Sequence, residues 1–268
     1  MMLPSRIASK PVRIGISWGD PNGIGSECIL KAFADDRVLQ DLIPIVYGHT
    51  ESLRKQAELF EVQVNIQATD DPEKATPGAL YCMDIADTMP DPDWGQPHAD
   101  AGDFARRSLE AAVKDLAGTK VDVLVTAPIN KDTIQGGSFK FPGHTEYLAD
   151  VAGVDEVLMI LATEALRVGV VTGHVPLKDV SARLSKGAII TKAKLLHESL
   201  GRDFGVASPR IAVLGLNPHA GDNGLIGEEE KTVILPAIRS LQEQGLDVHG
   251  PFGADGFFGT GGYKKFDR

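Results

Sequence analysis

The chain is poor in the residues that mark several classes of protein. It has two cysteines, Cys28 and Cys82, in 268 residues, which excludes a disulfide framework. Neither belongs to a CxxC pair of the kind that holds zinc or exchanges thiols, and both are expected in the core. Basic residues are in deficit: 27 Lys+Arg against 37 Asp+Glu leave a net charge of −10. Such a field repels polyanions and argues against nucleic acid as a partner. No stretch approaches the roughly 18 apolar residues that cross a bilayer. The opening MMLPSRIASKPVRIGISW has no uninterrupted apolar segment of the secretory kind, so a cytoplasmic protein without a membrane partner is expected. Aromatics make up only 6% of the chain, but 43% hydrophobic and 24% charged residues are a globular composition, unlike that of disordered, collagenous or coiled-coil chains. The length suits one large or two ordinary domains.

Short Val- and Ile-rich runs alternate with longer segments of helical period, the signature of a mainly parallel sheet flanked by helices. The fold class read from this pattern is α/β. Strands are expected at 12–18, 43–48, 121–126, 156–162, 166–172 and 210–216, with a short one at 80–83. Helices are expected at 25–34, 51–60, 103–116, 145–151, 191–204 and 228–244, the last kinked by Pro236. The stretch 68–100, with Pro72, Pro77, Pro90, Pro92 and Pro97 among aspartates, reads as a surface excursion. A domain boundary is placed near 126–130, giving a first α/β domain over 1–128 and a second over 129–268.

Functional residues in open α/β folds gather at the carboxyl ends of strands. After the first strand comes Gly19-Asp20-Pro21-Asn22-Gly23-Ile24-Gly25, a turn that opens a helix whose free N–H groups suit an anion or cofactor. It matches neither GxGxxG nor the P-loop pattern, so a plain strand-to-helix turn stands equally beside that reading. After 121–126 comes Ala127-Pro128-Ile129-Asn130-Lys131, and later Phe141-Pro142-Gly143-His144-Thr145-Glu146. Lys131 with the His144–Thr145 pair suits a phosphate or carboxylate; the other reading makes Thr145 a helix cap and His144 plain surface. His174 and His219 each lie just past a strand end in a loop shaped by Gly and Pro. Converging, they would hold a first-row divalent ion with positions open for substrate; apart, they are polar surface. His49, His98, His197 and His249 read as structural or solvated. Glu228-Glu229-Glu230 reads as a helix start, where negative charge offsets the helix dipole, and not as a metal site.

Taken in order, these segments resemble the signatures of one family. The motifs are Gly19-Asp20-Pro21 with Gly23-Ile24-Gly25 and Glu27, Thr126-Ala127-Pro128-Ile129-Asn130-Lys131, Pro142-Gly143-His144-Thr145-Glu146, His174-Val175-Pro176-Leu177, Gly215 through Gly221, and Gly250-Pro251 with Ala254-Asp255. Six motifs in this order resemble the 4-hydroxythreonine-4-phosphate dehydrogenase family of pyridoxal phosphate biosynthesis. The resemblance implies two α/β/α domains with a fold like that of isocitrate and isopropylmalate dehydrogenases, and an active site in the inter-domain cleft. It further implies a homodimer with that site at the subunit interface, NAD or NADP as cofactor, and a divalent ion (Zn, Mg or Co). By position, His144 and Thr145 correspond to the substrate-binding pair, and His174 and His219 to two of three metal histidines. Asp255 corresponds to an acidic residue near the reacting centre; Lys131 and Asp255 are the candidate proton acceptors. No dinucleotide contacts are assigned.

Three departures from the family pattern stand out. Ser26 replaces a proline, and Gly253 and Gly256 replace a proline and a threonine around Asp255, which implies a looser loop there. The family also continues beyond the position of Arg268 into a strand, a Tyr-His-Asp-Gln motif with the third metal histidine, and phosphate ligands, so a natural chain extending past Arg268 is expected. The implied reaction is oxidation of a phosphorylated β-hydroxy acid, 4-phosphooxy-L-threonine, with decarboxylation to 3-amino-2-oxopropyl phosphate. The alternatives are a paralogue acting on a phosphothreonate or phosphoerythronate, a metal-dependent phosphatase or aldolase, and a non-catalytic binding protein.

Overall fold

The first two apolar runs become neighbouring parallel strands, β1 (Val12–Ser17) and β2 (Leu42–Gly48), in register from Val12↔Leu42 to Ser17↔Tyr47. Ile16, Ile45, Val46 and Tyr47 are all buried, as continuous apolar strands are when helices cover both faces of a sheet. The computed structural model describes residues 10–135 and 139–267, and the chain divides into two compact units, Met1–Val151 and Ala152–Arg268.

In the first unit β3 (Ile66–Ala68), β4 (Leu80–Asp84) and β5 (Val123–Thr126) complete a five-stranded sheet of order β3-β4-β2-β1-β5, parallel throughout. Its helices are α1 (Gly25–Ala32), α2 (Thr50–Leu59), α3 (Ala99–Ala117), α4 (Lys131–Ile134) and α5 (His144–Ala152). Ser108 in α3 ties helix to sheet: its Oγ accepts from the Trp18 N–H at 2.7 Å and donates to the Tyr47 carbonyl at 2.6 Å. Cys82 packs in this core, where burial pushes its thiol up to about 12. Cys28, expected in the core, is exposed instead. Ile29 and Leu30 take the buried face of α1 and leave Cys28 on the outer one.

The expected boundary at 128/129 lies well before the observed division at Val151/Ala152. The segment after β5 packs back on α3: Ala105, Leu109 and Val113 form one buried cluster with Ile134 and Phe139, flanked by Tyr147 and Leu148. Strand composition ends at 126, but the apolar partners of the following segment lie in the first unit.

The second unit has β6 (Ile160–Ala162) and β7 (Arg167–Gly169), α6 (Val180–Arg183), α7 (Lys186–Arg202), β8 (Arg210–Leu214), α8 (Leu235–Glu243), β9 (Asp247–Phe252) and α9 (Ala254–Gly259). β6 and β7 were expected as long strands of a parallel sheet; they form a short antiparallel pair. β8 and β9 are parallel, with a register shift between Ala212 and Leu214. The composition hides β9, because Gly250 and Pro251 interrupt it. At φ +132 a Cβ on Gly250 would lie 2.3 Å from the Val213 carbonyl oxygen, so the bulge demands glycine. The helix expected over 228–244 begins as a π-helical turn, Glu230–Ile234, and becomes α-helical only at Leu235, beside Pro236. Proline has no N–H for the carbonyl four residues back, and the wider turn accommodates that loss. Ile189, Ile211, Ile238, Leu241 and Val248 form the core of this unit. Among the described residues no helix is long and apolar enough to cross a membrane.

Candidate active site

Where β1 passes into α1, the glycines serve packing. Gly19 has φ +78, and a Cβ there would meet the Pro128 carbonyl oxygen at 2.3 Å; on Gly25 it would meet the Trp18 carbonyl oxygen at 2.8 Å. The Asp20 N–H donates to that same Pro128 carbonyl at 2.8 Å. Asn22 then pins the acidic excursion, accepting from the Asp93 N–H at 2.9 Å and donating to the Gln96 carbonyl at 2.8 Å. Close backbone packing accounts for Gly19 and Gly25, which favours the plain strand-to-helix turn, and no NAD contact is assigned to it.

At the end of β5 the Asn130 side chain caps α4, accepting from the N–H groups of Asp132 and Thr133 at 3.0 and 3.2 Å. This fixes Lys131, exposed in the first turn, whose Cε would lie 4.0 Å from a Cβ on Gly143. His144 follows directly at the start of α5, half-buried, with its Nε2 enclosed and unpartnered. Burial, reinforced by the Lys131 charge, holds its imidazole below the ordinary 6.5, so it is neutral at neutral pH. Thr145 is exposed inside the first turn of α5 and does not occupy its N-cap. Phe139, Phe141 and Tyr147 pack ring against ring at 5.3–5.5 Å behind this segment. The structure thus brings Lys131 and His144 together: one supplies fixed positive charge, the other a neutral imidazole with an unused nitrogen.

In the second unit the carboxyl ends of the parallel strands β8 and β9 place His219 beside Asp255, with Nδ1 3.4 Å from Oδ2. Gly253 eases the approach, since a Cβ there would lie 3.2 Å from Asp255 Oδ1 and 3.4 Å from His219 Cα. A departure from the family pattern therefore accompanies a close contact. Phe252, Phe257 and Phe266 line the same pocket as these two residues, with the first two rings stacked at 5.3 Å.

His174 and His219 have φ of +54 and +52, and among the described residues they are the only histidines with left-handed backbone. Such a conformation costs a non-glycine residue about 1–2 kcal/mol, and strain of this kind collects at functional sites. The turn from His219 to Asn223 is left-handed throughout. Imidazole and carboxylate suit a divalent ion. His219 and Asp255 supply two adjacent donors, yet among the described residues no three His, Cys, Asp or Glu side chains gather as a metal cluster. His174 is exposed and is not drawn into a cluster with them.

The acidic triplet departs from its reading as a simple helix start. Glu230 is 4% exposed and accepts from the Asn217 N–H at 2.7 Å and from Asn217 Nδ2 at 2.9 Å. Glu229 accepts from Ser181 Oγ and Asn217 Nδ2. In the sequence Asn217 stands out only as part of a motif and Glu230 only as part of a helix start; the one local signal for their pairing was a run of acids soon after a Gly- and Asn-rich loop.

The motifs above also match at the level of whole sequences. The family model described as "Pyridoxal phosphate biosynthetic protein PdxA" matches residues 40–268. The chain belongs to this family. A 4-hydroxythreonine-4-phosphate dehydrogenase of Bacteroides thetaiotaomicron is 41% identical over 257 residues, covering 96% of this chain and 71% of that protein. A D-threonate 4-phosphate dehydrogenase of Cupriavidus necator is 40% identical over 257 residues, covering 95% and 77%. The crystal structure of a 4-hydroxythreonine-4-phosphate dehydrogenase from Burkholderia phymatum superposes with a TM-score of 0.83 at 37% identity, over 97% of this chain and 79% of that one. The mixed α/β architecture with a parallel sheet is thus that of PdxA-family dehydrogenases.

Proposed function

We propose that this PdxA-family chain oxidises 4-phosphooxy-L-threonine with NAD and decarboxylates the product to 3-amino-2-oxopropyl phosphate, a step toward pyridoxine 5'-phosphate, working in the cytoplasm as a homodimer. The carrying observation is that the two histidines matching the family's metal positions are, among the described residues, the two with left-handed backbone. His174, His219 and the neighbouring Asp255 are the donors that would hold a divalent ion, and their nitrogen and oxygen chemistry suits one. When bound, the ion supplies Lewis-acid polarisation of substrate oxygens and NAD supplies the hydride acceptor.

The chain's own residues divide the remaining work. Lys131 offers charge to the substrate's phosphate or carboxylate. His144 and Thr145 orient the substrate, the neutral imidazole through a directional hydrogen bond. Of the two candidate acceptors, Asp255 takes the hydroxyl proton, since Lys131 serves here as the charge.

The Cupriavidus relative, nearly as similar as the Bacteroides one, supports a second reading in which the substrate is D-threonate 4-phosphate. Formation of reduced nicotinamide, measured with 4-phosphooxy-L-threonine, D-threonate 4-phosphate and a phosphoerythronate, separates the two. Turnover of the first with release of carbon dioxide is expected; preference for the second transfers the assignment to the paralogue, and no turnover of any overturns the dehydrogenase reading.

A further inference from the structure

Glu230 opens the π-helical turn before α8, and its carboxylate is the hub of the loop that follows β8. One oxygen takes the Asn217 backbone N–H and the other takes the Asn217 side-chain amide. Three glycines mould around this pair. A Cβ on Gly215 would lie 3.1 Å from Oε1 and one on Gly221 2.6 Å from Oε2, while one on Gly227 would lie 2.2 Å from Asn217 Nδ2. Asn217 in turn begins the turn that carries the histidine, its carbonyl accepting from the Ala220 N–H at 3.1 Å. The left-handed run His219–Asn223 follows, closed by the Ile226 N–H on the Gly221 carbonyl at 3.1 Å. A run of left-handed residues does not hold itself; here a buried carboxylate grips it at its start and packs against its middle glycine.

We propose that Glu230 is a positioning residue that acts through Asn217 to fix the left-handed turn presenting His219. Its role in catalysis rests on His219 serving the proposed dehydrogenase site. Glu230 acts at one remove, through its two hydrogen bonds to Asn217.

The test is Glu230→Gln in the full chain. Glutamine keeps the size and one acceptor but turns an N–H toward one of the two Asn217 donors. Amide hydrogen exchange of residues 217–226 is expected to quicken about tenfold or more while α8 stays protected. Affinity for Co²⁺, titrated calorimetrically without substrate, is expected to fall about 10–100-fold. Unchanged exchange at 217–226 overturns the proposal, and so does quickened exchange with unchanged Co²⁺ affinity and unchanged kcat/KM. Should Glu230→Gln loosen α8 as well, Gly227→Ala decides: it crowds the Asn217 amide directly and is expected to quicken the same exchange with α8 intact, and its failure to do so overturns the proposal. A wild-type protein that binds no Co²⁺ and reduces no NAD removes the functional reading instead, and the exchange data alone then decide whether Glu230 holds the turn.

Discussion

His144 shows how one residue's surroundings set its chemistry. Its burial and the nearby Lys131 disfavour the charged imidazole, so the folded state binds this proton less readily than the unfolded chain does. Stability linked to His144 is therefore intact above pH 6.5, the ordinary imidazole value, and is lost as pH falls from there to the depressed folded value. His144→Gln is expected to flatten that part of the stability–pH curve, as measured by denaturant titration at several pH values. His144→Ala is expected to lower turnover while leaving bound metal unchanged, because its role is toward substrate; loss of metal from this variant, or normal turnover, would refute that role. His219→Ala and His174→Ala are expected to do the reverse, weakening metal binding about 10–100-fold or more. Full metal content and full activity in both would remove the ligand assignment.

At the scale of elements, packing decides where Lys131 sits. Gly102 in α3 admits the backbone of α4, since a Cβ there would come 2.1 Å from the Thr133 carbonyl oxygen. In an isolated helix Gly→Ala gains about 1 kcal/mol; against a backbone carbonyl the overpacking cost of about 1–3 kcal/mol or more prevails. Gly102→Ala is expected to lower the melting temperature and, by displacing α4, to raise KM. The segment around Glu230 obeys its own pH rule. Burial raises the Glu230 pKa, but the hydrogen bonds from Asn217 outweigh it and leave the group below its ordinary 4.5. The stability it contributes is present above pH 4.5 and is lost as pH falls through the lower folded value; exchange protection at 217–226 is expected to follow that profile. The strands β1, β2, β5 and β8 were legible because each is short and rich in Val, Ile or Leu. β9 was not, because a bulge glycine and a proline interrupt it, and β6 and β7 read as longer than they are because apolar residues such as Val157 and Met159 stay partly exposed outside the ladder.

At the scale of the whole molecule, each unit has its own core and its own reporters. Both tryptophans, Trp18 and Trp94, lie in the first unit, so intrinsic emission reads that unit, and the second requires far-UV circular dichroism. Leu241, fully buried among Ile189, Ile238 and Val248, is expected to cost about 2–5 kcal/mol on replacement by alanine, visible in the dichroism transition. The net charge of −10 is expected to leave the protein without affinity for nucleic acid even at low salt, where such attraction is strongest.

The α/β class and the motifs that place the chain among PdxA-family dehydrogenases are readable from the order of residues alone. Hydrophobic period and short motifs are local properties, and strand-end loops carry them intact. That order also marked Lys131, His144, Thr145, His174, His219 and Asp255 as the residues to examine. It took the folded chain to show that Gly19 and Gly25 serve packing, that Lys131 lies near His144, and that His219 meets Asp255 at the ends of two parallel strands. The folded chain also decided that the first unit extends to Val151. Each of these depends on which backbone approaches which, across separations such as the 109 residues between Gly19 and Pro128, and no local period encodes a contact of that range. Glu230 is the sharpest instance: in sequence it is one of three consecutive acids, and only the fold buries its carboxylate on Asn217.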